Sequence, residues 1–165
     1  MPDHTCRSAS DYDDIPDILK VPDGNVLILQ AYGRGVQKYA CPVSPASKAT
    51  PHAILLASEG DEGDTVAIHF GGPTWEALDG SSVVGDAANA KHFPSPDADA
   101  IDWLLVPAKS TTGDGRFSRV TYIQRLYTDG GKPPAEGCDQ AHNQTEALVE
   151  YSAQYLFYGP ASAGR

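Results

Sequence analysis

His69, Glu76 and Asp79 fall within eleven residues of one another, with Trp75 between them. A histidine and two carboxylates are the donors of a metal site or the partners in proton transfer. A flat indole face beside polar groups suits a sugar ring. His69, Trp75, Glu76 and Asp79 are therefore candidates for ligand binding, and His69 for holding a metal ion. The same residues also fit a plain structural corner: a strand-end histidine on a backbone carbonyl, a core tryptophan and two turn acids. The histidines at 4, 52, 69, 92 and 142 lack the short pairing of a metalloprotease helix. No serine stands in a GxSxG elbow, so no catalytic nucleophile is assigned.

The elements that must position these residues read as strands. Thr65-Val66-Ala67-Ile68 alternates between two faces and runs into His69-Phe70. Gly71-Gly72-Pro73 forces a turn, and Trp75 follows with a large apolar surface to bury. Asp79-Gly80 predicts a hairpin of type I′, and Val83-Val84 resumes the extended chain. Val26–Tyr32, Val36–Cys41, His52–Ala57, Ile101–Val106, Phe117–Thr128 and Glu146–Tyr158 complete the strand set. Gly33-Arg34-Gly35 predicts a bulge, bend or turn between the first two of these. Trp103 is expected in the core. Arg119 and Arg125 are expected on a partly wet face of the strand that carries them. Short strands separated by Gly/Pro turns predict an all-β, antiparallel sandwich or barrel with long Gly/Pro-rich loops and few short helices. Residues 1–22 read as an acidic, solvated arm, 23–160 as one β domain and 161–165 as a tail.

Twelve Lys and Arg against 22 Asp and Glu give a formal net charge of −10. That excludes nucleic acid and anionic membrane as expected partners, since both demand basic patches. No apolar run reaches the length of a membrane span. Gly33-Arg34-Gly35 is followed by Val-Gln-Lys, with neither the third glycine nor the helix of a dinucleotide site, which excludes an NAD-dependent dehydrogenase. Three cysteines, Cys6, Cys41 and Cys138, leave several states open. All three can be reduced thiols, Cys41 and Cys138 can close a long loop, or Cys6 can pair with either. Asn143-Gln144-Thr145 is a glycosylation sequon if the producing cell is eukaryotic.

Five motifs occur in order: GVQKYAC (35–41), HFGGPTWEALDGSSVVG (69–85), AIDWLLVPA (100–108), VTYIQRLYTDGGKPPAEGC (120–138) and YSAQYLFYG (151–159). The set resembles the domain of unknown function 3455 family over about residues 20–159. Between Cys41 and His69 the chain is shorter than many relatives and lacks a tryptophan found there. The resemblance implies secretion, with a signal peptide absent from this sequence, and a Cys41–Cys138 bridge. It implies no established activity, and the residues do not support the malate dehydrogenase label that fungal relatives often carry. The residues and the resemblance are compatible with three functions. One is a secreted, non-catalytic β-domain that binds a small molecule, glycan or extracellular surface. The second is a metal-dependent enzyme on His69 and nearby carboxylates, with a bound metal ion its cofactor. The third is a structural protein that self-assembles through Cys6 or a strand edge.

Overall fold

A computed structural model of the chain describes residues 15–44, 47–58 and 63–161. The described residues form nine strands: β1 Asn25–Ala40, β2 Thr50–Leu56, β3 Thr65–Phe70, β4 Thr74–Ala77, β5 Ser82–Gly85, β6 Lys91–Phe93, β7 Trp103–Thr112, β8 Tyr122–Gly130 and β9 Glu146–Pro160. All pairings are antiparallel. The sheet runs β5-β4-β3-β2-β1-β9-β8-β7-β6, and β5 also pairs with β7. That last pairing closes an eight-stranded barrel, so the barrel, not the sandwich, is the architecture realised. The short β6 shares an edge of β7 with β5: it takes the Trp103–Leu105 half and β5 the Ala108–Thr112 half. Among the described residues no helix is long and apolar enough to cross a membrane.

An eight-stranded barrel is just wide enough for its own side chains to fill. Here large and small inward residues alternate. Trp75, Tyr155, Phe157 and Phe117 are packed among Ala31, Ala67, Ala77 and Ala153. Phe117 stacks on Phe157 at 4.6 Å and plugs one end. The sequence predicts a strand from Phe117, but Phe117 lies outside it. Residues 116–119 form a turn and β8 begins only at Tyr122. Two bonds hold this turn. The Phe117 N–H donates to Ser81 Oγ at 3.0 Å, and the Arg116 N–H to Asp79 Oδ2 at 2.8 Å.

A second apolar cluster lies outside the barrel. Trp103, Leu105, Leu126 and Leu156 point outward from β7, β8 and β9 and are covered by Ile15 and Leu19. The Gln124 amide donates to the Leu19 carbonyl at 2.8 Å beneath this cover. The described part of the N-terminal stretch is therefore docked on the barrel rather than solvated. Burying Leu19 completely contributes about 1.5–3 kcal/mol of transfer free energy.

β1 runs unbroken through Gly33-Arg34-Gly35. The glycines serve close approach, not a turn. A Cβ on Gly33 would lie 2.5 Å from the Tyr155 ring, and one on Gly35 would lie 2.1 Å from the His52 carbonyl oxygen. Asp79-Gly80 does sit in a hairpin, but φ is positive only at Gly80, so the turn is not type I′. Gly80 N–H bonds to the Ala77 carbonyl and Ala77 N–H to the Ser81 carbonyl, which makes a longer loop.

Candidate functional site

β3 and β4 pair with His69 opposite Trp75 and Ile68 opposite Glu76. Side chains alternate across a strand, so this register sends His69 and Trp75 inward together and Ile68 and Glu76 outward. His69 is 5% exposed and Trp75 2%. Their rings stack at 4.4 Å with 9° between planes, and Tyr155 meets both edge-on. His69 Nδ1 lies 2.8 Å from the Thr74 carbonyl oxygen. A carbonyl only accepts, so Nδ1 carries the proton and Nε2 holds the lone pair of a neutral ring. Burial pushes the imidazole down to about 3, against the partly opposing bond to Thr74.

Below His69 the interior stays polar. Arg125 points inward from β8, not to a wet face, and its Nε and Nη2 donate to the Asp102 carbonyl at 3.0 and 2.8 Å. Tyr151 and Tyr155 hydroxyls meet at 2.9 Å, and Tyr39 donates to the Gly131 carbonyl. Burial raises all three phenols above their ordinary range, and the Arg125 charge offsets part of that. The phenols thus remain protonated donors at neutral pH.

The neutral His69 makes the barrel acid-sensitive. In the unfolded chain the ring protonates near 6.5, whereas in the barrel it stays neutral down to about 3. Above pH 6.5 both states are neutral and the residue adds no pH dependence. As pH falls through the interval below that, the unfolded chain binds a proton that the barrel refuses. Stability should then fall by up to roughly 1.4 kcal/mol per pH unit from this residue. Urea denaturation of the wild type and His69→Phe at neutral and mildly acid pH checks this. The variant should lose that part of the slope, and equal slopes in both proteins would refute it.

The remaining sequence candidates lie apart. Glu76 is on the outer face of β4, half-buried. Asp79 accepts from the Ser81 hydroxyl at 2.6 Å, the Ser81 N–H at 2.9 Å and the Arg116 N–H, and these bonds hold its carboxyl below the usual range. Asp79 thereby ties the β4–β5 turn to the turn that carries the Phe117 plug. Asn143 is exposed, just after the helical turn Gln140–His142. Cys41 and Cys138 form a disulfide with Cα atoms 4.9 Å apart, and Cys6 lies outside the described residues. Among the described residues no three His, Cys, Asp or Glu side chains gather to hold a metal ion.

A different set of residues converges on the outer face. Arg34 and Val36 of β1, Ile54 of β2, Glu150 and Ser152 of β9 and Asp129 of β8 line a groove of about 730 Å³. A bulge in β8 puts Asp129 there. Leu126 pairs with Gln154 but Asp129 with Ser152, so one extra residue is inserted between them. Tyr127 takes φ +50 at that point. Without the bulge, Asp129 would share the inward face of Arg125; with it, the carboxylate turns outward beside Ser152. Sequence reading missed this groove. The signal available was the cross-strand run of a cation, two acids and two aliphatics, which needs the pairing register to be seen.

Residues 22–159 match the family model described as "Protein of unknown function (DUF3455)". The chain belongs to the DUF3455 family. No curated protein and no solved structure matches it. The DUF3455 match begins just before β1 and ends within β9, so it takes in the whole barrel, the His69–Trp75 stack and the outer groove. Ile15 and Leu19, which cover the second apolar cluster, precede the DUF3455 match.

Proposed function

We propose that this protein is a secreted binding domain whose site is the outer groove across β8, β9, β1 and β2, and that its ligand is a carbohydrate. One observation carries the reading. Arg34, Asp129 and Glu150 line one groove together with Val36 and Ile54, which form an aliphatic floor. Carboxylates and a guanidinium offer paired acceptors and donors to adjacent hydroxyls, and such charge-assisted bonds are the strong ones. An aliphatic floor suits the C–H face of a sugar ring. Trp75 is not part of this surface, because its faces are taken by His69 and by the core. The Cys41–Cys138 bridge supports an oxidising compartment.

The test is calorimetric titration against a panel of soluble oligosaccharides, with the double variant Asp129→Ala, Glu150→Ala as control. Both residues are exposed, so folding stability should change little. Losing two charge-assisted bonds should weaken binding by about 10-fold or more. A panel with no binder, or a variant that binds as tightly as the wild type, would overturn the assignment.

A further inference from the structure

The groove does not stop at β2. A shallower hollow adjoins it across Arg34, Gly35 and Ile54 and continues over His52, Ile68 and Phe70. The pairing register makes the two one trough. Asp129 faces Ser152, Ser152 faces Arg34, Arg34 faces Ile54, and Ile54 faces Ile68. This row crosses β8, β9, β1, β2 and β3 on the outer face. Four strand-to-strand steps make it about 19 Å long. Its two ends differ in chemistry. The β8–β9 end carries carboxylates and a hydroxyl. The β2–β3 end carries Ile54 and Ile68, which are 43% and 38% exposed, with Phe70 beside them.

We infer that the trough takes a neutral oligosaccharide chain several rings long, laid across the strands. This rests on the binding reading above and adds length and charge to it. The span exceeds what one ring can fill. Hydroxyls meet the carboxylate end, while C–H faces lie on the aliphatic end. A polyanionic chain is disfavoured, because Asp129 and Glu150 line the trough and the whole chain carries −10. A lipid or a purely apolar ligand would leave the carboxylates desolvated and unpaired.

The experiment titrates the full protein with glucose, then with malto- and cello-oligosaccharides of increasing length, and with oligogalacturonate as the anionic probe. Affinity for one neutral series should rise with each added ring until the trough is filled, then level off. The oligogalacturonate should bind at least 10-fold more weakly than a neutral chain of equal length. Ile68→Ser, at an exposed position beyond the lining of the first groove, should remove the gain from added rings and leave the binding of the shortest ligand unchanged. If sugars bind at the groove with no dependence on length, or if the anionic chain binds best, this inference fails while the binding reading stands. If no sugar binds at all, both fail. Melting curves of this variant show whether the fold is kept, and Ile68→Ala repeats the length test should it not be.

Discussion

Trp75→Ala is expected to destabilise the barrel by about 3–5 kcal/mol, the ordinary cost of removing a large aromatic from a filled core. The indole is 2% exposed and has His69 on its face and Tyr155 and Phe157 at its edges. Its Nε1 is buried with no hydrogen-bond partner among the described residues, so packing holds it. The interior around it is closed by strands on all sides, which prevents collapse into the space left behind. Trp75→Phe should therefore cost less, since it keeps most of the apolar volume and removes the unpaired N–H. Urea denaturation followed by tyrosine fluorescence or circular dichroism measures both. A loss below about 1 kcal/mol for the alanine variant would show that the indole does not hold the barrel together.

Breaking the disulfide should have a comparable effect by another route. Cys41 and Cys138 are 97 residues apart, and closing such a loop restricts the unfolded chain by about 4–5 kcal/mol in the chain-entropy description. The native ends of that loop are already held by backbone bonds, Cys41 N–H to the Thr145 carbonyl and Val43 N–H to the Cys138 carbonyl. The Cys41→Ala, Cys138→Ala variant should thus keep the native fold near neutrality yet unfold at much lower denaturant. Denaturation midpoints of the two proteins, with slopes compared, give the difference. Equal midpoints would mean that the bridge adds nothing to stability.

What the sequence made legible, and what it hid, follows from how each signal is encoded. Period-two alternation at residues 149–157 predicts a strand, and Tyr151, Ala153, Tyr155 and Phe157 do line the barrel interior. The His69–Trp75 corner is legible for the same reason, since Gly71-Gly72-Pro73 is a local turn signal. The outer groove is not. Its residues come from four strands and meet only through pairing register. Asp129 is placed by a bulge whose special backbone angle falls on a tyrosine, so no glycine announces it. Arg125 misleads in the same way: a charged residue reads as a surface one, yet the Asp102 carbonyl and Tyr155 receive it inside. The docking of Ile15 and Leu19 is hidden by the acidic residues around them, which set the average polarity of that stretch.

The pairing of β1 with β9 also fixes when this protein can fold. Asn25 lies opposite Pro160, and the ladder runs from there to Ala40 opposite Glu146. Among the described residues, the first strand of the barrel is thus sealed by the last. Until β9 has emerged, one whole edge of the 16-residue β1 stays open, and no earlier strand satisfies it. Closure of this kind joins partners far apart in the chain, which makes folding slow and leaves an edge exposed meanwhile. The barrel is therefore a whole-chain event. A chain still unfinished stays open along that edge, because its final seam does not yet exist.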